Sequence, residues 1–203
     1  PHKERGQGIA IMWKAPAMPP NPGSSAIVRF NEDATVNVYV GAQEIGQGAF
    51  TVAAQMAAEA LGVPYEWVRV SANPVDTKYS PYEWQTVASR ITWSMGNAVK
   101  AAAEEARQKV LDVVADHWDE DVEDLDIRDG VVISYKSERE QPLEKMVIYG
   151  LPNENFEGWE GGPIVGTGKF MPTYVTNLDP ETGQGTRAVV HYTVGAQAGD
   201  RED

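Results

Sequence analysis

Cysteine does not occur anywhere in the 203 residues. Its absence excludes a disulfide framework, and it also excludes iron–sulfur clusters held by cysteine thiolates within this segment. If a redox site is present, its electrons must therefore leave through another polypeptide or another segment.

Basic residues are scarce as well. The chain has 17 lysines and arginines against 30 aspartates and glutamates, which gives a formal net charge of -13. Such an excess of negative charge repels nucleic acid and anionic membrane surfaces. No apolar run approaches the roughly 20 residues of a membrane span, and no signal-peptide pattern opens the chain. We therefore predict a cytoplasmic protein that binds neither nucleic acid nor membrane.

The most informative motif that is present is a glycine-rich loop, Gly-Ala-Gln-Glu-Ile-Gly-Gln-Gly at 41–48. Before it, valines alternate with polar residues over 35–40, which is the period of a half-buried strand. After it, small and apolar residues recur at helical spacing as far as Leu61, and Gly62 follows as a stop signal. The loop is thus predicted to join a strand end to a helix start.

A glycine loop at a helix start suits a phosphate-bearing ligand, because the first N–H groups of a helix lack intrahelical partners and lie at the positive end of its dipole. Gly46 and Gly48 would let the backbone approach a ligand without a Cβ in the way. An ATPase is disfavoured, since Gln47 and Gly48 stand where a Walker motif needs Lys and Ser or Thr. A tight turn without a ligand is the remaining alternative.

A second polar loop, 80–92, leads directly into the longest helical pattern of the chain. Apolar residues from Met95 to Val114 form the buried stripe of that helix. Thr92 or Ser94 is predicted to cap its N-terminus. Two loops that each end at a helix start are therefore expected.

Further motifs follow in order along the chain: Thr-x-Ala-Ser-Arg-x-Thr at 86–92, Gly-Asn-Ala at 96–98, Gly-Pro-Ile-Val-Gly-Thr-Gly at 162–168, Glu-Thr-Gly-Gln-Gly at 181–185 and Tyr-Thr-Val-Gly-Ala-Gln-Ala at 192–198. Together with the loop 41–48, this set resembles the molybdopterin-binding region of the xanthine dehydrogenase and aldehyde oxidoreductase family, the molybdenum hydroxylases. The resemblance extends over nearly the whole chain.

The resemblance implies a site for molybdopterin, in the form of molybdopterin cytosine dinucleotide that bacterial members use. The loop residues would approach the molybdenum and pterin end, Gln47 through its side-chain amide, and 86–92 would line the pterin and its phosphate tail, largely through backbone N–H groups. The cofactor-binding residues implied in this way are Gly46, Gln47, Gly48, Thr86, Val87, Ala88, Ser89, Arg90 and Thr92.

Each of these residues also has a purely structural interpretation. Thr92 would only cap a helix, Ser89 would only close a turn, and Arg90 would be a solvated charge. Taken singly these interpretations are favoured; the ordered set of motifs favours the cofactor.

The activity implied by the resemblance is that of a molybdenum-dependent oxidoreductase. Members of the family hydroxylate an aldehyde or N-heterocycle with oxygen from water and pass electrons to iron–sulfur and then FAD subunits or domains. Their molybdenum subunits are several times longer than this chain, and the family's catalytic glutamate lies downstream of the last motif. We therefore assign no catalytic residue and expect one part of a molybdenum subunit, inactive without the remainder. A cofactor-free assembly module and a nucleotide-binding enzyme stay open as alternatives.

The fold class predicted from these patterns is α+β, with a mixed sheet of short strands and two main helices. Residues 1–150 are predicted to form the molybdopterin-binding region, and 151–203 a β-rich tail that packs on the same domain. Hairpins are predicted around 31–34 and 129–130, a third strand at 67–71 and a short helix at 142–149.

A metal held by protein side chains is not predicted. His2, His117 and His191 are far apart and lack metal-ligand spacing. The acidic stretch 116–129 lacks the glycine that a calcium-binding EF-hand loop requires, so we interpret it as a solvated connection.

Overall fold

The computed structural model describes residues 2–3, 5–11, 22–71, 78, 80–87, 89–147, 151–152, 159–160, 163–171 and 181. The predicted site residue Ala88 and the motifs at 182–185 and 192–198 lie outside these residues. The elements are strands β1 (Ser24–Phe30), β2 (Val36–Val40), β3 (Val68–Ser71), β4 (Leu125–Arg128), β5 (Val131–Ser134), β6 (Glu140–Pro142), β7 (Leu151–Pro152), β8 (Trp159–Glu160) and β9 (Val165–Phe170), and helices α1 (Ala49–Leu61) and α2 (Ile91–Trp118).

The main sheet has the strand order β3-β2-β1-β9. β1 and β2 form the predicted hairpin, with Val28 opposite Val38, and β3 joins β2 in parallel after the crossover through α1. Alternate residues of β1 and β2 are buried, as the period of two in the sequence predicted. Both helices pack on this sheet and on each other. The predicted α+β class is therefore confirmed.

β9 completes the sheet by pairing antiparallel with β1. Helix α2 crosses β9 so closely that a Cβ on Gly166 or Gly168 would lie 2.0 Å from the carbonyl oxygen of Ala102 or Ala98. These two glycines of the 162–168 motif thus serve close packing between a helix and a strand. Residues on both sides of position 150 share one sheet, and the predicted division there stays a prediction.

A second sheet, β4-β5-β6, lies at the C-terminal end of α1. Its first hairpin turns at Asp129 and Gly130, both with positive φ, as the sequence predicted. The Gly130 N–H donates to the Gly62 carbonyl at 3.0 Å, which joins the turn to the end of α1. The helix predicted at 142–149 is reduced, among the residues described there, to a 3-10 turn at Leu143–Lys145.

The N-terminus of α2 differs from the prediction. Arg90 precedes the first helical residue with a helical backbone (φ -79, ψ -18), and no side chain caps the helix. Thr92 is the second helical residue, and the buried Ser94 hydroxyl bonds to the Ser24 hydroxyl at 2.7 Å. The prediction that Thr92 or Ser94 is the cap is therefore wrong. The reason is that the chain has already bent before the helix, where the Arg90 N–H donates to the Val87 carbonyl.

Candidate functional site

The two loops singled out in the sequence lie against each other. The Gln43 N–H donates to the Thr86 hydroxyl oxygen at 2.8 Å. A Cβ on Gly41 would lie 2.4 Å from the Pro81 carbonyl oxygen and 2.7 Å from the Glu83 Cβ, so the backbones can approach only because residue 41 is glycine. The structure thus joins two segments that are 43 positions apart.

The second loop is held there by the start of β1. The Ser25 N–H donates to the Tyr82 carbonyl at 2.7 Å, and the Trp84 N–H donates to the Gly23 carbonyl at 3.2 Å. These bonds give residues 82–84 a short antiparallel pairing with β1. The loop therefore reaches α2 along the same end of the sheet at which β2 leads into the glycine loop.

Within the glycine loop, Gly46 and Gly48 have φ of 97° and 82°. A Cβ on either would meet nothing within 4 Å, so glycine is needed here for its backbone conformation and the face of the loop is open. The Gln47 side chain folds back on the loop: its amide oxygen accepts the Ile45 N–H at 2.7 Å, and its amide nitrogen donates to the Gln43 carbonyl at 3.0 Å.

Glu44 is a functional candidate that the sequence interpretation missed. Its carboxylate accepts the backbone N–H groups of Gly46, Gly48 and Phe50 at 2.8, 3.0 and 3.1 Å. Hydrogen bonds from backbone N–H groups, first those of Phe50 and Gly48, lower the pKa of the Glu44 carboxyl below its usual range. An acidic residue just before a glycine-rich helix start was the available signal, because such positions favour negative charge.

Arg90 lies in the interior, with a fully buried side chain that forms an ion pair with Glu83. Its guanidinium donates to the Gln85 carbonyl at 2.6 Å and to the Ser94 hydroxyl at 2.6 Å, and it also reaches the Pro22 and Gly23 carbonyls and the Ser24 hydroxyl. The interpretation of Arg90 as a solvated charge is therefore wrong. The guanidinium ties the second loop to β1 and α2, and any contact with a cofactor would have to come from the backbone of this residue.

The ion pair is buried but not fully hydrogen-bonded. The Glu83 side chain is 4% exposed, and its Oε2 and the Arg90 Nε lack partners among the described residues. The Arg90 guanidinium also lies 5.7 Å from the ring centre of Trp84. Such a buried pair makes both charges dependent on each other, since removing either leaves the other without its counter-charge.

The other predicted residues lie along the approach to α2. Thr86 and Val87 are half-buried, Ser89 is exposed with a positive φ of 57°, and Thr92 is half-buried. The first N–H groups of a helix have no intrahelical acceptors. The start of α2 therefore offers hydroxyl and N–H donors, and Thr86 joins the approach to this helix to the glycine loop.

Backbone N–H, amide and hydroxyl groups of this kind can bind a neutral polar group or an anion. Among the described residues, no three His, Asp or Glu side chains are grouped so that they could hold a metal ion. The helices of the described segments include none that is long and apolar enough to cross a membrane.

A separate surface cleft of about 660 Å³ lies along the C-terminal half of α2. Its walls include Asp116, Glu120 and Glu123 from the acidic stretch. The Glu120 carboxylate accepts the Ser134 hydroxyl, which lowers the pKa of Glu120. The cleft contains no residue of the two loops, and we assign it no ligand.

Comparison with protein families gives a match over residues 1–200 to the model described as "Molybdopterin cofactor-binding domain". Thus the family match covers nearly all of the chain, including both loops of the candidate site. It agrees with the family that the ordered motifs resemble.

Individual proteins show the same likeness. The chain is 31% identical over 168 residues to "Probable hypoxanthine oxidase XdhD" of Escherichia coli K12, which is 82% of this chain and 16% of that protein. It is 41% identical over 88 residues to the xanthine dehydrogenase molybdenum-binding subunit of Escherichia coli O157:H7, or 43% of this chain and 12% of that protein. The crystal structure of quinoline 2-oxidoreductase from Pseudomonas putida 86 aligns with a TM-score of 0.60 at 25% identity, over 74% of this chain and 19% of that chain. The matched part of the chain thus spans less than a fifth of the length of each of these three proteins.

Proposed function

Because this chain belongs to the family of molybdopterin cofactor-binding domains, we propose that it forms part of the cofactor site of a molybdenum hydroxylase, with residues 46–48 and 86–92 at the cofactor. The observation that carries the proposal is the bond between the Gln43 N–H and the Thr86 hydroxyl. It joins the two motif-bearing loops, each of which leads into a helix.

The two loops contribute different groups to this proposed site. The open glycine loop offers the Gln47 amide: beside its two bonds within the loop, the amide has a second N–H and a second oxygen lone pair for the edge of a pterin ring. The start of α2 offers N–H groups and the hydroxyls of Ser89 and Thr92, which suit a phosphate. The buried ion pair of Arg90 and Glu83 fixes this second loop to β1 and α2. When bound, the cofactor supplies the redox chemistry, and the protein binds and orients it.

For the whole enzyme we propose hydroxylation of an aldehyde or N-heterocycle with oxygen from water. The names of the similar proteins, which refer to hypoxanthine, xanthine and quinoline, support an N-heterocycle. We propose molybdopterin cytosine dinucleotide as the cofactor, since the similar proteins are bacterial. We further propose that the remainder of the molybdenum subunit completes the site and that electrons pass to iron–sulfur and FAD partners. The iron–sulfur clusters must lie elsewhere, because this segment has no cysteine to bind one.

The experiment is to purify the full-length protein that contains this segment together with its associated subunits. We expect about one molybdenum and one pterin for each copy, with a cytidine nucleotide released on mild hydrolysis. An intact preparation with neither molybdenum nor pterin would overturn the proposal in favour of a cofactor-free assembly module. Pterin without cytidine would overturn only the dinucleotide form.

Gln47 gives a sharper test within that enzyme. Gln47→Ala removes the amide that we place against the pterin, and we expect turnover to fall about tenfold, as for the loss of one hydrogen bond to the bound group. Gln55→Ala, at an exposed position of α1, is the matched control and should leave turnover unchanged. Unchanged turnover and molybdenum content in Gln47→Ala would remove this residue from the site.

A further inference from the structure

Two N–H groups at the start of α1, those of Gly48 and Phe50, already have an anionic partner. The Glu44 Oε1 accepts the N–H groups of Gly46 and Gly48, and its Oε2 accepts that of Phe50. This is the arrangement in which successive backbone N–H groups and a helix N-terminus commonly bind a phosphate. In this chain the anion is a side chain of the same loop.

We propose that Glu44 is a positioning residue: its carboxylate fills the start of α1 as a built-in anion, holds residues 43–50 in one conformation and excludes phosphate from this helix start. The part of this inference that concerns the cofactor rests on the proposed function. If Glu44 fills the start of α1, the two loops have different roles: the glycine loop contacts the cofactor through neutral groups, and the phosphates lie at the start of α2.

Tethering explains why an outside anion would not displace the carboxylate. Glu44 is two positions before Gly46, so it is present at the N–H groups at a high effective concentration. Hydrogen bonds to an ionised acceptor are also stronger than those between neutral groups. A phosphate would have to break all three of them and would meet the repulsion of the displaced carboxylate.

The same loop conformation determines where Gln47 lies. Gln47 stands between the two glycines whose N–H groups Glu44 binds, and its own amide bonds to the Ile45 N–H and the Gln43 carbonyl. The neighbouring Gln43 N–H in turn bonds to Thr86. Loss of the Glu44 carboxylate would therefore loosen both Gln47 and the junction with the second loop.

The test is amide hydrogen exchange on the cofactor-free, full-length protein. In the wild type we expect protected N–H groups at Gly46, Gly48 and Phe50, with no change on adding inorganic pyrophosphate. In Glu44→Ala we expect exchange at these groups to rise about tenfold or more, as for loss of hydrogen bonds to a charged acceptor. Sodium formate should restore the protection in Glu44→Ala, because a small carboxylate can occupy the same N–H groups, whereas sodium chloride should not.

The control variant is Glu59→Gln, which replaces an exposed glutamate of α1. Its loop N–H groups should exchange as fast as those of the wild type. Unchanged exchange in Glu44→Ala, or protection of the wild-type loop by pyrophosphate, would overturn the inference. Rescue by formate is a result that general destabilisation would not produce.

Cofactor content separates this inference from the proposed function. If the wild type contains molybdenum and pterin, Glu44→Ala should retain severalfold less of both, and full retention would overturn the role of Glu44 toward the cofactor. If the wild type contains neither, the proposed function fails, while the exchange experiment still decides whether Glu44 fills the helix start.

Discussion

The glycine loop at 41–48 and the segment at 80–90 are held in opposite ways. Glu44 and Gln47 satisfy the first loop with hydrogen bonds inside the loop, at exposed positions. Arg90 fastens the second segment to the interior through a fully buried side chain. Local, solvent-exposed bonds can open without unfolding the rest of a protein, whereas a tie to the core cannot. The comparison teaches that one side of the candidate site is fixed by bonds within its own loop, whereas the other side is tied to the interior.

The largest effect is expected from breaking the tie to the interior. Arg90→Met would leave the Glu83 carboxylate buried without its counter-charge, and we expect the free energy of unfolding to fall by about 3–5 kcal/mol. Denaturant unfolding of the full-length protein measures this change. Lys100→Met, which breaks the exposed pair of Lys100 with Glu104, should cost less than about 1 kcal/mol.

A double substitution identifies the cause of that loss. Arg90→Met combined with Glu83→Leu removes both charges, so we expect it to be more stable than Arg90→Met alone. If the double variant is no more stable than the single one, the isolated charge is not what destabilises Arg90→Met.

An intermediate effect is expected at the junction between the two loops. Thr86→Val keeps the shape of the side chain but removes the oxygen that accepts the Gln43 N–H. We expect a loss of about 1 kcal/mol in the free energy of unfolding and faster amide exchange at Gln43. Thr51→Val, at an exposed position of α1, is the control. Unchanged exchange at Gln43 would mean that the loops are joined by packing alone.

The smallest effect is expected from acid, and it should be confined to the glycine loop. The N–H groups of Phe50 and Gly48 hold the pKa of Glu44 below its usual value of 4.5. A depressed pKa means that the carboxylate stabilises the loop fully above pH 4.5 and that this contribution is lost as the pH falls through the lowered value. Amide chemical shifts of Gly46 and Gly48 should report this titration, and Glu44→Gln should abolish it. A titration that persists in Glu44→Gln would assign it to another group.

Elements with a simple period were predictable from the sequence. Alternating valines predicted β2, and the run of small apolar residues ending at Gly62 predicted α1 with its C-terminal end. Asp129 and Gly130 predicted the turn of the second hairpin. In each case the determining interactions are close in the chain, so local pattern and conformational preference agree with the fold.

The sequence could not show the side-chain partners at the site. Ser94 had the properties of a helix cap, but its hydroxyl bonds to Ser24, 70 positions away. Arg90 had the properties of a surface charge, but its partners include a carbonyl 68 positions away. Partners at such distances are unknown until β1 and α2 are placed together.

The sequence by itself determined strands β1 to β5, the two main helices, the two glycine- and hydroxyl-bearing loops, and the family that their order indicates. These features depend on residue type and local spacing, which the chain carries before it folds. Only the tertiary structure decided that the loops meet at Gln43 and Thr86, that Arg90 lies inside, and that the Glu44 carboxylate accepts N–H groups at 46, 48 and 50. Which donor finds which acceptor depends on distance and burial, because a buried charge needs its partner within hydrogen-bonding reach.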